Sequence, residues 1–311
     1  MPTPEKLITV VIPAYNYASV LPRAVASVAV QLYDADAELL VIDDGSTDDT
    51  PGVLAALRAA HGDCFTAIRK ENGGLASVRN YAIAHSGGHY LIFLDADDEM
   101  LPGALAALSA HISTQSDSRM VIAGHHSVAF GGRRSVHVAG PLPATAEARL
   151  RAYLFEKTLS LCNGACAMHR EVFTVGLYPE QFRSAEDIPV FAQVLARFPC
   201  TTLDVPMAVI HKHPASMRRN LEFARQTGLA LVDEVFSAQR MPERFQGLRR
   251  RYYAQRCLSL FRVFSSAGCN KEAMAFYRKA LKADAGVILR WTYTRKALRI
   301  LLGRRSGERR S

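Results

Sequence analysis

The sequence predicts an α/β domain, a mainly parallel sheet flanked by helices, followed by an all-α basic C-terminal region. Three observations carry this expectation. Short β-branched runs alternate with helical stretches through the first half of the chain, the signature of βαβ units. These runs are apolar throughout, as strands covered on both faces must be. From residue 221 onward the only periodicity is helical, and basic residues accumulate there.

Each element has its own signal. Residues 7–13 (LITVVIP) form a β-branched run short enough for a buried strand. Residues 17–31 have helical spacing, with Val20, Leu21, Ala24, Val25 and Val28 on one side. Residues 38–43 (ELLVID) read as a second strand, and 46–49 as a cap and acidic first turn for a helix to about His61. A third strand follows at 65–69, a helix at 75–85 and a fourth strand at 89–94 (HYLIFL). Pro102 opens another helix. After residue 118 the pattern changes. A strand is expected at 120–123, a hairpin over 125–138 around Gly131-Gly132, and helices at 144–157 and 185–198. A last strand covers 200–209. The helical region from 221 breaks near Met241-Pro242 and at 268–270, and 303–311 is polar, basic and expected to be disordered.

A chain of 311 residues with 49% apolar and 22% charged residues builds a core without covalent staples. That composition excludes disordered and collagen-like classes. No run of uncharged apolar residues is long enough for a transmembrane helix. The first residues lack a basic segment leading into an apolar stretch and cleavage site, so the expected compartment is the cytoplasm. The six cysteines complete no zinc or disulfide pattern and are expected to be reduced and mostly buried.

The net charge of +9 divides unevenly. Residues 244–311 hold 18 Lys or Arg and 3 Asp or Glu, a balance of +15, and the rest of the chain balances at −6. Such asymmetry points to a polyanionic partner. In the tail, Trp291, Leu298, Ile300, Leu301 and Leu302 interleave with Arg290, Arg295, Lys296 and Arg299. That combination suits an anionic membrane surface. No nucleic-acid-binding motif accompanies the charge, so no nucleic acid is expected as partner.

Open parallel sheets bind ligands beyond the carboxyl ends of their strands. Four such ends carry polar residues: 13–16 (PAYN), 43–48 (DDGSTD), 72–74 (NGG) leading to Arg79-Asn80, and 95–98 (DADD). With VVIPAYN (10–16), VIDDGSTDDT (41–50), NGGLASVRN (72–80), YLIFLDADD (90–98) and AEDIPVFAQVL (185–195) in this order, the chain resembles a family 2 glycosyltransferase of the GT-A fold, a Rossmann-like architecture. The resemblance runs from about residue 7 to about residue 213. It implies a nucleotide-sugar-binding half at 1–118 and an acceptor-binding half at 119–220; the helical region at 221–311 lies outside it.

The resemblance also implies roles. A nucleotide-sugar donor carries a diphosphate whose charge a hard divalent cation, Mg2+ or Mn2+, neutralises. Asp95 and Asp97 resemble the DxD metal site, Asp97 as direct ligand and Asp95 nearer the ribose or metal. Asp98 is expected to cap the following turn. Asp44 would accept a hydrogen bond from a uracil or thymine imide, with Asp43 structural. Tyr15 would lie against the base or pack in the core, and Pro13 would shape that turn. Arg79 would reach the nucleotide. In Glu186-Asp187, Asp187 resembles the catalytic base of an inverting transfer and Glu186 its acceptor-side support. His213 would complete the metal site or touch the diphosphate, with Lys212 and Arg218 beside it. The acceptor would be a glycan or a lipid-linked sugar, as in bacterial lipopolysaccharide core or surface-glycan synthesis, with rhamnosyl or hexosyl transfer.

Competing classes fail on residues. A sugar nucleotidyltransferase needs a Gly-rich, Arg-containing loop after the first strand, where this chain has PAYN. A processive synthase needs Gln-x-x-Arg-Trp, and Val287 stands where the glutamine should precede Arg290-Trp291. An inactive sugar- or nucleotide-binding protein would not need Asp95, Asp97 and Asp187 together.

Overall fold

The computed structural model describes residues 6–212 and 220–303. The chain divides into two compact units, Met1–Ala215 and Ser216–Ser311.

In the first unit, β1 (Lys6–Ala14) lies between β2 (Ala37–Asp43) and β4 (Gly88–Phe93), and β3 (Thr66–Arg69) lies beyond β2, all in parallel. Helices α1 (Leu21–Ala29), α2 (Thr50–His61) and α3 (Leu75–His85) make the crossovers. Ile8, Val10, Val11 and Ile12 are fully buried, so both sheet faces are covered, as the unbroken apolar run requires. Beyond β4 the sheet is mixed. β8 (Cys166–His169) joins β4 to β6 (Met120–Val128) by antiparallel pairing on both sides. β9 (Cys200–His211) runs parallel to β6, and the two-residue β5 (Glu99–Met100) closes the far edge against it. The order is β3-β2-β1-β4-β8-β6-β9-β5, with β7 (Arg134–His137) hanging antiparallel on β6.

The structure departs from the sequence expectations in places with clear causes. α1 begins at Leu21, not residue 17, after a turn in which the Tyr17 carbonyl accepts from the amides of Val20 and Leu21. The expected 144–157 helix is α-helical only over Ala146–Arg151 (α5), capped by Thr145 Oγ1. It then widens into a π-helical turn, Ala152–Glu156, that ends at the left-handed Lys157. α4 (Ala104–Thr114) starts after Gly103 and not at Pro102. The hairpin turns at Gly131-Gly132 as expected, both glycines having positive φ. β8 and β5 had no counterpart in the sequence reading, being four and two residues long. The cysteines are free, yet only Cys166 and Cys257 are buried, fewer than expected.

The second unit comprises α7 (Leu221–Thr227), α8 (Ala230–Val235), α9 (Arg249–Ser266), α10 (Asn270–Ala283) and α11 (Trp291–Leu301). Cys257, Phe261, Phe264, Ala273, Tyr277, Val287 and Ala297 form its core. The chain breaks lie near residues 241 and 268, where proline and glycine were read as stops. No described helix is long and apolar enough to cross a membrane. The segment 304–311, and with it most of the basic terminus, lies outside the described residues.

Candidate active site

The polar ends of β1, β2 and β3 are tied to one another. Asn16, in left-handed backbone at φ 59°, donates its N–H to Ser46 Oγ at 2.9 Å and accepts from Thr47 N at 2.8 Å. Asp43 is buried and accepts from Ser46 N at 2.8 Å and Arg69 Nη1 at 2.7 Å, which makes it structural. Asp44, also buried, accepts from Lys70 Nζ at 2.8 Å, Gly73 N at 3.0 Å and Gly74 N at 2.7 Å. Its two oxygens therefore fix the loop after β3, with lone-pair capacity left for one more donor. Tyr15 is exposed above this floor.

Glycine is required where these loops meet. A Cβ on Gly45, at φ 72°, would stand 3.0 Å from Asn72 N. Gly74 has φ 86° and ψ 171°, a region essentially closed to other residues. Gly74→Ala is expected to lower stability by about 1–3 kcal/mol, seen as a reduced urea midpoint at unchanged slope. An unchanged midpoint would mean that the loop relaxes to ordinary backbone at no cost.

At the end of β4 the carboxylates of Asp95, Asp97 and Asp98 gather, one oxygen of each lying within 4.8 Å of the others. Burial, then Asp95, push the Asp98 acid up to about 8, against the pull of the His211 N–H. Burial, then Asp97, Asp95 and Asp98, push the Tyr17 phenol up to about 12. Three hard oxygen donors gathered at one strand end match what Mg2+ or Mn2+ takes. The acidic loop is braced from both flanks. Arg23 of α1 donates to the Asp97 carbonyl at 2.7 Å and pairs with Glu99 at 3.2 Å. His211 at the end of β9 donates its N–H to Asp98 Oδ1 at 2.8 Å, and its ring contacts Glu99 at 2.7 Å.

Arg79 joins this loop to the second carboxylate pair. It is 2% exposed, with Nη1 at 2.7 Å from Glu186 Oε1 and Nη2 at 3.4 Å from Asp95 Oδ1. Its guanidinium stands over the rings of Tyr178 and Phe93. Burial alone works against its charge, but Glu186, Tyr178, Asp95 and Asp187 outweigh that and hold it protonated. Burial pushes the Glu186 acid upward while Arg79 pulls it back. Asn80 grips the same segment, donating to the Tyr178 carbonyl at 2.8 Å and accepting from its N–H at 2.9 Å. Ala185 sits at φ 63°, an uncommon conformation for a residue with a Cβ. Glu186 stands at the N-cap position of α6 (Asp187–Arg197) without a side-chain capping bond, and Asp187, half-buried, opens the first turn.

Several expected placements change. Pro13 lies buried within β1, paired with Ile42, and the turn begins only after Ala14. Arg79 is not a solvated surface arginine: it is buried, with its guanidinium paired to Glu186 and Asp95. Asp98 reaches β9 and the acidic cluster, with its carboxylate bonded to the His211 amide and not capping its own turn. His213 and Arg218 lie outside the described residues. Lys70, Arg23, His211 and Tyr178 were not singled out in the sequence, since single residues in unmotifed stretches show their role only through long-range contacts.

Residues 9–176, more than half of the chain, match the family model for glycosyl transferase family 2. The chain belongs to glycosyl transferase family 2. Among solved structures, this glycosyltransferase is similar to S. aureus TarS residues 1–349 in complex with UDP-GlcNAc. The TM-score is 0.59 at 16% identity, over 97% of this chain and 93% of that one. The mannosyltransferase PcManGT from Pyrobaculum calidifontis, in complex with GDP-Man and Mn2+, gives a TM-score of 0.56 at 21% identity, over 97% and 86%. At these identities the likeness is one of fold. Succinoglycan biosynthesis protein ExoU of Rhizobium meliloti is 42% identical over 101 residues, 32% of this glycosyltransferase. The chain spans from 29% to 60% of the length of four curated relatives that it matches.

Proposed function

We propose that this glycosyltransferase is a metal-dependent, inverting enzyme that moves a single sugar from a UDP- or dTDP-linked donor to a glycan or lipid-linked acceptor. One observation carries the reading: Arg79 holds the acidic loop at Asp95 and the Glu186-Asp187 pair around one buried cation. Donor-side and acceptor-side carboxylates thus share one site. Asp97 and Asp95, with Asp98 behind them, would hold Mg2+ or Mn2+. When bound, such an ion neutralises the diphosphate as it departs. Tyr15 offers a ring to the base, and Asp44 its remaining lone pair to the imide N–H.

Asp187 takes the proton of the acceptor hydroxyl as that oxygen attacks the anomeric carbon. The anomeric bond to phosphate breaks on the opposite face, and its electron pair leaves with the nucleoside diphosphate. Glu186, fixed by Arg79, orients the first turn of α6 from which Asp187 projects. We place the enzyme in the cytoplasm, in bacterial lipopolysaccharide-core or surface-polysaccharide synthesis, with a hexosyl or rhamnosyl unit transferred. The similarity to a succinoglycan biosynthesis protein supports the surface-glycan reading.

The test combines a donor panel with one substitution. Thermal shift with UDP- and dTDP-sugars plus Mn2+ is expected to pick out one donor. Stabilisation should be about 2.7 kcal/mol at a hundredfold excess over Kd. Asp97→Ala should abolish both transfer and the metal-dependent part of that shift. Full transfer by Asp97→Ala in the presence of chelator would overturn the metal-dependent reading.

A further inference from the structure

The outer face of α11 has no use in packing the second unit. Tyr293, Ala297 and Ile300, at i, i+4 and i+7, turn into the core. The opposite face carries Trp291, Arg295, Leu298 and Leu302, again at i, i+4, i+7 and i+11. Trp291 is 64% exposed and Leu302 71%, and Leu298 and Leu301 are exposed beside them. Just before the helix, Ile288 and Leu289 are also exposed. A large apolar stripe facing solvent is uncommon on a helix whose other face already fills a core.

The charge around the stripe is of one sign. Residues 285–303 contain Arg290, Arg295, Lys296 and Arg299 and no carboxylate. A cavity of 270 Å³ opens along the same helix, lined in part by Asn270, Trp291, Arg295, Lys296 and Arg299. Burial and then repulsion from Arg262 hold the Lys296 ammonium below its ordinary range. Lys296 donates to a neutral partner, Ser266 Oγ, at 3.2 Å.

We propose that this face of α11 docks on the surface of an anionic lipid bilayer, with Trp291, Leu298 and Leu302 entering the interface and Arg295, Lys296 and Arg299 meeting lipid phosphates. Charge complementarity selects this occupant. An apolar stripe alone would suit a second copy of the chain, but Arg295, Lys296 and Arg299 would then face the same three cations of that copy. Nucleic acid would satisfy the cations and leave the leucines in water. A bilayer interface satisfies both, and tryptophan is the side chain most at home at its headgroup level. The cavity is large enough for a headgroup phosphate. This inference stands apart from the transfer reaction, so its failure would leave the proposed activity untouched.

Trp291 is the single tryptophan of the chain, so the intact protein reports its own docking. Vesicles of phosphatidylcholine with phosphatidylglycerol are expected to shift its emission to the blue, and brominated lipid to quench it. About 0.5 M salt should reverse most of the binding, because the Debye length falls to a few ångströms. Phosphatidylcholine alone, inorganic phosphate and a short RNA should leave the emission unchanged. L298S/L302S should weaken co-sedimentation with anionic vesicles about tenfold or more, and R295Q/R299Q on the order of twentyfold. Both pairs are exposed, and retained helical circular dichroism confirms the fold. No shift with anionic vesicles would overturn the proposal, as would an equal response to RNA or neutral vesicles. A lipid-free dimer that L298S/L302S converts to monomer would overturn it in favour of self-association.

Discussion

Arg79→Met is expected to lower stability by about 3–5 kcal/mol and to abolish transfer. The guanidinium is wholly enclosed, with Glu186 at 2.7 Å and Asp95 at 3.4 Å. Removing it leaves Glu186 as a buried carboxylate with no counter-charge, and the cost is that of an uncompensated charge in a poor solvent for it. The double variant Arg79→Met, Glu186→Gln should regain part of the stability, since the orphaned charge is gone, and none of the activity. Urea midpoints of the two single variants and the double variant measure this coupling. Additive midpoints would show that the pair is not the interaction that holds the segment.

Asp187→Asn should retain the fold and the donor-induced thermal shift while losing about 10²–10⁴-fold in turnover. The amide keeps the size and polarity of the carboxylate at the first turn of α6 but cannot take a proton. The favourable interaction of a negative group with the helix N-terminus is lost as well, worth about 0.3–1 kcal/mol. Stability should therefore change little compared with Arg79→Met. A variant that keeps its turnover and loses donor affinity would remove Asp187 from the role of base.

The parallel block of the fold was legible because its strands are fully apolar and its turns carry strong breakers. The 75–85 helix falls on the observed residues, and β1 to β4 lie within one residue of their expected bounds. β8 was not legible. Cys-Ala-Met-His has no alternation, and its place between β4 and β6 is fixed by long-range pairing. In the site, the acidic loop and the Glu186-Asp187 pair announced themselves as adjacent carboxylates. Arg79 did not reveal its partner, because Glu186 lies 107 residues away in sequence and nothing local marks the pairing. The role of Asp98 was misjudged for the same reason: its partner, the His211 amide, lies 113 residues on in the sequence, on the strand that pairs with β5.

The grip of Arg79 and Asn80 on the Tyr178–Glu186 segment also fixes where this polypeptide can be divided. The stretch that matches the family ends at residue 176, before Tyr178 and before Glu186. A fragment cut at that border would carry a buried cation with its principal counter-ion left behind, and an asparagine side chain with no backbone to hold. Recombination between relatives meets the same constraint. A crossover placed in the long stretch between α3 and α6 must bring a compatible arginine from one parent and a glutamate from the other. The physical boundary of the nucleotide-binding half is thus not a point along the chain, because two residues of α3 belong energetically to the segment that leads into α6.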